Sequence, residues 1–311
     1  MSTALQYFKA LSDRTRLRLT RVLQRYELSV NELAQLLGMG QSRISRHLKI
    51  LADAGLLTWR RDGLWVFYRA AEDGSGNGFL AAMTPFLEED AAMPADMDMA
   101  ARILEDRTRK TRQFFNAIAE DWDALNREVL GDFDLAEAVC AAVPAQCGVA
   151  ADLGCGTGMV LERLRFHARE LIGVDGSSRM LEFARRRFAA DGHGDGEPQV
   201  SLRIGELEHL PLRDGEAQFA CINLVLHHLS EPLPALKEIR RILQPGGLLL
   251  ATDFDKHGNE RMRKDYGDRW LGFDENVLHG MFVRAGFVPR RTTRQPVGKG
   301  LCLLLILAEA A

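Results

Sequence analysis

The stretch Ala151–Met159, reading Ala-Asp-Leu-Gly-Cys-Gly-Thr-Gly-Met, limits what this chain can fold into more than any other. An apolar run before it, Val149–Leu153, reads as a buried strand. Gly154, Gly156 and Gly158 follow at alternate positions, a helical pattern covers Met159–His167, and a second apolar run, Leu171–Val174, ends in Asp175. Strand, glycine turn, helix, strand and acid make a βαβ nucleotide-binding unit. Asp175 stands 21 positions after the first glycine, where such units place a side chain that accepts hydrogen bonds from ribose hydroxyls. Glycine is needed because the chain turns sharply there and a ligand must approach bare backbone. Dinucleotide sites share this logic, so the loop alone leaves the ligand class open.

The spacing is more particular. Asp152 lies two residues before the first glycine, and Asp-x-Gly-x-Gly-x-Gly resembles the first motif of class I S-adenosylmethionine-dependent methyltransferases. The resemblance covers about residues 110–311. It implies a Rossmann-like α/β fold and an adenosyl ligand, S-adenosylmethionine or S-adenosylhomocysteine. The residues it assigns to that ligand are Asp152, Gly154, Cys155, Gly156 and Gly158 in the loop, Asp175 and Gly176 after the second strand, and Met180 at the start of a helix over Ser178–Ala190. A glycine-rich loop, Asp191–Pro198, precedes a third strand, Val200–Ile204. Gly205-Glu206-Leu207 then falls where the family keeps an acid against the adenine amino group, and Glu206 fills that place with a longer side chain than the commoner Asp.

Asn223 ends a fourth strand, Phe219–Val225, and open α/β sheets bind ligands at that end, here beside the methionine portion. His227-His228-Leu229 resembles the His-His-Leu of quinone and related small-molecule methyltransferases; a histidine there could accept a proton, or only position and pack. Phe114–Asp123 resembles the segment that caps the cofactor in quinone-type methyltransferases, so Phe115 and Trp122 could cover the adenosyl group or simply pack on the sheet. Helices are expected over Leu135–Val143 and Leu233–Leu243, with Pro245-Gly246-Gly247 turning into a strand over Leu248–Thr252. Two further helices fall within 257–285. A closing hairpin, Arg290–Gln295 with Leu301–Ala308, marks a methyltransferase sheet rather than a dehydrogenase.

The first part of the chain has a different character. Residues 1–70 hold 12 Lys and Arg against 5 Asp and Glu, whereas the rest holds 28 against 38, although the whole chain is only −3. A basic front on an acidic body suits a polyanionic partner or a solvated basic face. Leu5, Phe8 and Leu11 begin a helix; Ser12 or Asp13 caps a second, with Leu17, Leu19, Val22 and Leu23 apolar. Ser29-Val30-Asn31-Glu32 is a capping box opening a helix that stops at Gly38. A further helix runs Gln41–Ala54. Its Ile44, Leu48 and Leu51 should pack inward, leaving Gln41, Ser42, Arg43, Ser45, Arg46 and Lys49 partly outward. Gln and Arg can read base edges, and Ser, Arg and Lys suit phosphates; His47 fits either face. Leu56–Arg61 and Leu64–Arg69 around Asp62-Gly63 read as a hairpin wing, with Arg60 and Arg61 near its tip.

Ala10–Leu17 together with Ser42–Leu51 resembles the ArsR family of winged-helix repressors over about residues 3–91. The resemblance implies a homodimer on double-stranded operator DNA, paired through its first and last helices, the last being Phe79–Glu89. Metal-sensing members carry two cysteines where this chain has Glu27-Leu28-Ser29-Val30-Asn31, and Gly76–Asp98 holds no histidine. Soft metals need thiolate or imidazole, so no metal is expected.

The expected organisation is a winged helix-turn-helix over 1–91, a linker or helical connection over 92–109 with Pro94 as a break, and an α/β methyltransferase-like domain over 110–311. No run is long enough for a membrane span, and Met1–Lys9 lacks a signal-peptide core. The five scattered cysteines read as reduced thiols, which points to the cytoplasm. Two functions follow. One is a regulator whose second domain senses the adenosyl ligand, resembling S-adenosylhomocysteine-responsive repressors of methionine-cycle genes. The other is an active small-molecule methyltransferase with a DNA-binding appendage. The Asn-Pro-Pro-aromatic motif of nucleic-acid methylation is missing, and Leu224 stands where arsenite methylation would place a cysteine.

Overall fold

The computed structural model describes residues 2–87, 92–190 and 198–311. The chain divides into two units, Met1–Arg107 and Thr108–Ala311.

Unit one begins with α1 (Thr3–Leu11), α2 (Arg14–Arg25), β1 (Leu28–Ser29), α3 (Val30–Leu37) and α4 (Gln41–Asp53). α1 buries Tyr7, Ala10 and Leu11 but leaves Leu5 and Phe8 exposed. Asp13, rather than Ser12, caps α2 by accepting the Arg16 N–H. The Ser29/Glu32 capping box closes in both directions, and α3 ends at Gly38 with φ 63°, in the left-handed region that glycine tolerates. Ile44, Leu48 and Leu51 of α4 are fully buried beside Leu19, Leu23 and Leu33. That packing fixes which face of α4 looks outward.

The wing is β2 (Leu57–Asp62) and β3 (Trp65–Ala70). Asp62 pairs with Trp65, so the turn is Gly63-Leu64, one residue later than Asp62-Gly63. The shift puts Asp62 in the strand, where it is fully buried near Arg60, and gives the positive φ, 58°, to Gly63. β1 adds a third strand against β3; at two residues it carries no period to read. α5 (Gly74–Leu87) starts five residues before Phe79. Glu88 to Ala91, which include the expected end of that helix and of the winged-helix domain, lie outside the described residues.

Pro94 does not break the chain. It sits in the first turn of α6 (Met93–Ile118), where its missing N–H has no intrahelical partner to lose. The first half of α6 is packed rather than free: Ala100 and Ile103 join the core of unit one, Arg18 pairs with Asp96 at 2.5 Å, and Arg107 pairs with Glu32.

Unit two continues through α7 (Trp122–Leu130), α8 (Leu135–Cys140), β4 (Cys147–Leu153), α9 (Met159–Leu164), β5 (Ala168–Asp175) and α10 (Ser178–Ala190). Asp191 to Glu197, most of the expected glycine-rich loop, lie outside the described residues. Next come β6 (Gln199–Ile204), β7 (Ala217–Asn223), α11 (Pro232–Ile242), β8 (Leu243–Phe254), α12 (Arg261–Asp265), α13 (Glu275–Arg284), β9 (Phe287–Pro296) and β10 (Cys302–Ala310). α8 and α9 each stop three residues short of their apolar patterns. Pro245–Gly247 lies within β8 as an irregularity, because the pairing jumps from Ala217↔Leu243 to Phe219↔Leu248.

The seven strands run in the order β6-β5-β4-β7-β8-β10-β9. The first five pair parallel, and β10 is antiparallel to both β8 and β9. β4 has β5 on one side and β7 on the other, so the winding reverses there. A crevice opens beyond the carboxyl ends of the strands at such a reversal.

Candidate functional site

The crevice is a cavity in unit two. Of the residues assigned to an adenosyl ligand, it is lined by Phe115, Trp122, Asp152, Gly154, Cys155, Gly156, Asp175, Gly176, Met180, Glu206, Leu207, Asn223 and His228. Gly158 does not line it. It caps α9 with φ 83°, and a Cβ there would press on Ala184 at 3.3 Å, so this glycine serves helix packing.

The loop is held before any ligand arrives. The Gly154 and Cys155 N–H groups donate to the Val174 carbonyl at 2.7 and 3.0 Å. Asp175 accepts the Gly156 N–H at 2.9 Å and the Ser177 N–H at 2.7 Å. Gly154 and Gly156 take φ of 74° and 53°. A Cβ on Gly154 would lie 2.5 Å from Val225 Cγ2, and one on Gly156 would lie 3.4 Å from Trp122 Nε1. Bare backbone thus forms a cradle beside a paired acid, and the residues fit a nucleoside with a charged tail.

Burial raises the Asp175 pKa against the pull of the Ser177 and Gly156 amides, and Glu206 raises it further. Asp152 is pushed up to about 7 by burial, despite the Cys221 thiol donating to it at 3.3 Å. The Cys155 thiol rises well above its usual value through burial and the nearby Asp152 and Asp175, which keeps it protonated and unreactive.

The aromatic wall is built by α6 and α7. Phe115 meets Trp122 edge-on at 5.4 Å and His228 edge-on at 4.8 Å. Asp123 binds Thr157 Oγ1 at 2.5 Å and Arg187 at 2.6 Å, tying α7 to the glycine loop; Asn116 accepts the Ser177 hydroxyl at 2.7 Å. Glu206 is paired with Arg112, a lining residue that sequence reading did not single out. Glu208 also lines the cavity, with its pKa raised first by burial. A charged helix position and a turn acid carry no pattern that would mark either. Leu224, which follows Asn223, is held at φ 57° while its N–H donates to the Thr252 carbonyl at 2.8 Å.

The two histidines are unlike. His228 meets the Gly267 carbonyl with Nδ1 at 3.2 Å, and burial together with neighbouring His227 pushes its pKa down to about 3. Its Nε2 is therefore left as an unprotonated acceptor. His227 does not line the cavity. Burial opposes its charge, but Asp253 at 2.7 Å and Asp268 at 3.5 Å outweigh that and hold its pKa well above the imidazole range. The turn carrying it is fixed: the Arg269 and Trp270 N–H groups donate to the His227 carbonyl, and Trp270 Nε1 donates to the Leu229 carbonyl. Asp268 is 4% exposed, and neither of its oxygens has a hydrogen-bond partner.

In unit one, Gln41, Ser42, Arg43, Ser45, Arg46 and Lys49 are all exposed on α4, and Lys49 pairs with Asp53 at 3.5 Å. His47 belongs to neither the core nor the open face. It is half-buried with Nδ1 3.8 Å from the Asp13 cap. Arg61 is exposed on the wing. Arg60 is not at the tip but folded back, pairing with Glu27 at 2.6 Å and lying over the Phe67 ring at 4.4 Å.

Comparison with known proteins agrees with both halves. Residues 13–58 match the family described as bacterial regulatory protein, arsR family, and residues 151–251 match a methyltransferase domain. The arsenic resistance transcriptional regulator ArsR1 of Pseudomonas putida is 41% identical over 97 residues, 29% of this chain and 76% of that one. A ubiquinone/menaquinone biosynthesis C-methyltransferase, UbiE, of Caulobacter vibrioides is 28% identical over 162 residues, half of this chain and 64% of the enzyme, which is under two thirds of its length. A solved S-adenosylmethionine-dependent methyltransferase from Aquifex aeolicus superposes with a TM-score of 0.51 at 21% identity, covering 63% of this chain and 98% of that one, which speaks to fold alone. With its recognition helix exposed in one unit and its glycine cradle closed in the other, the chain is a member of the ArsR family joined in one polypeptide to a class I methyltransferase-fold domain.

Proposed function

We propose that this chain is a DNA-binding transcriptional repressor whose methyltransferase-like unit binds S-adenosylhomocysteine or S-adenosylmethionine and so controls its hold on operator DNA. The observation that carries the reading is Asp175, half-buried at the cavity wall with both oxygens oriented by loop amides, in the same polypeptide as an ArsR-type recognition helix. The control is linkage: a ligand changes DNA binding only as far as its affinity differs between the DNA-competent arrangement and the other. On α4, Arg43 and Arg46 reach base edges and phosphates, and the uncapped helix start at Gly40 offers N–H groups to a phosphate. The partner copy pairs through the first and last helices of unit one, where Leu5, Phe8 and Phe86 are exposed and Phe8 meets Phe79 edge-on. Its place is the cytoplasm. Among the described residues no helix is long and apolar enough to cross a membrane.

The test takes the full chain and a duplex selected from a random pool. Duplex affinity is measured with each adenosyl compound and with neither. A shift of at least about fivefold with one of them is expected, the low end of ordinary allosteric coupling. Calorimetry that finds no adenosyl binding, or a bound compound that leaves duplex affinity unchanged, overturns the proposal. A second reading, catalysis of methyl transfer to a small molecule, is favoured by His228, whose unprotonated Nε2 at the cavity wall could take a proton from an acceptor. Bound S-adenosylmethionine would supply the electrophilic methyl group. Labelled methyl appearing in a small-molecule product, lost in His228→Ala, would establish that reading.

A further inference from the structure

At the cavity wall lies a donor set of which the adenosyl reading uses only His228. His227, His228 and Asp268 are all buried, and one ligand atom from each falls within 4.8 Å of the other two. Each imidazole is already tied through Nδ1, His227 to the Asp253 carboxylate at 2.7 Å and His228 to the Gly267 carbonyl at 3.2 Å. Metal-bound histidines are held in this way, by a carboxylate or backbone carbonyl on the ring nitrogen away from the ion. The Nε2 of His228 is thereby left for coordination, and that of His227 becomes available once an ion displaces the proton it carries. The third donor, Asp268, is an almost fully buried carboxylate with no well-formed hydrogen bond to either oxygen; the charged ring of His227 faces it at 3.5 Å, and a bound cation would take over that counter-charge. Its Oδ1 stands 3.5 Å from His227 Nε2, too long for a well-formed hydrogen bond but close to the separation of about 3–3.5 Å between two donors on one ion at about 2.1 Å. The backbone bonds from Arg269 and Trp270 to the His227 carbonyl hold the Asp268 segment against the histidine turn.

We propose that His227, His228 and Asp268 bind a divalent first-row transition cation of the Zn2+ and Fe2+ class, with Asp253 and the Gly267 carbonyl orienting the two rings. Two imidazoles and one carboxylate suit these ions; Mg2+ and Ca2+ favour all-oxygen shells. The site is separate from the positions at which metal-sensing repressors carry cysteines, so the expectation of no metal, which was drawn from those positions, does not reach it. It is also independent of whether an adenosyl compound fills the cavity. The ion would join the turn after β7, the end of β8 and the segment before Trp270, stiffening the wall on which His228 lies.

The test uses the full chain stripped with a chelator. Equilibrium dialysis with Zn2+ should show about one equivalent bound per chain, and Co2+ should give the ligand-field absorption of a nitrogen- and oxygen-ligated ion. Mg2+ should compete with neither. Asp268→Asn, which keeps shape and removes the charged ligand, should weaken Zn2+ by at least the roughly 10- to 100-fold typical of losing even an orienting partner, as in Asp253→Asn. His167→Ala, which removes an imidazole elsewhere in the unit, should leave binding unchanged. Uptake by the wild-type chain needs no variant, so misfolding of a variant cannot rescue the proposal. No Zn2+ or Co2+ bound by the wild type, preference for Mg2+, or equal binding by folded Asp268→Asn would each overturn it.

Discussion

Asp175→Asn tests the adenosyl cradle most directly. A carboxylate offers about four lone-pair positions. Two are already taken by the Gly156 and Ser177 amides, leaving two for the ribose hydroxyls. Asparagine exchanges one acceptor oxygen for an NH2 that only donates. One ribose bond is then lost outright, and the other falls from charge-assisted to neutral. With about 1.5–3 kcal/mol for a charged bond and about 1 kcal/mol for a neutral one, the ligand loses about 2–5 kcal/mol. That corresponds to about 30- to 4,000-fold in Kd. The same change leaves one loop amide without its acceptor, at a cost of about 1–3 kcal/mol in folding, so urea unfolding must accompany the binding assay. Calorimetry of the full chain with both adenosyl compounds should run near pH 8, because burial, helped by Glu206, raises the Asp175 pKa and the wild type must be ionised. A folded variant whose Kd stays within about threefold of the wild type would refute the assigned role of this carboxylate.

Other outcomes follow from the same contacts. Arg46→Ala should weaken duplex binding across sequences and lower the salt slope by about 1, with adenosyl affinity unchanged; calorimetry and a salt titration check both. Arg60→Ala should act on stability instead, by removing the guanidinium that pairs with Glu27 and lies 3.5 Å from buried Asp62, and a urea midpoint that does not move would refute the folded-back role of this arginine. Asp152 has a folded pKa of about 7 against an ordinary 3.8, so the stability it contributes is full below about pH 4 and is lost as pH rises through about 7. Asp152→Asn should flatten that part of the stability profile, and an unchanged slope would assign the pH dependence to other groups.

Where sequence carries a local physical signal, the structure follows it. The capping box at Ser29, the glycine stop at Gly38 and the helix Ser178–Ala190 need only neighbouring residues to form, and all three appear at the expected places. The cradle was legible for the same reason, since its strand, turn, helix and acid lie within one continuous stretch, Val149–Asp175. What escaped was decided by distant partners. The wing turn slips by one residue because Asp62 gains Arg60 as an inward neighbour. Pro94 opens a helix instead of ending one because Ala100 and Ile103 find a core to join. Arg112 meets Glu206 across 94 positions, and Asp268 reaches His227 from a short segment without any period. No one-dimensional pattern encodes such meetings. Gly158, by contrast, was legible as a glycine but not in purpose, because helix packing and ligand approach ask for the same missing side chain.

The seat that Gly154 leaves for Val225 has a mechanical consequence. The valine follows Leu224, whose left-handed backbone is a strained state for a branched side chain. Two crossing turns of the sheet's rim therefore interlock like a tenon in its slot, with one turn under tension. A side chain at position 154 would have to displace Val225, so the glycine turn and the turn after Asn223 share one seat.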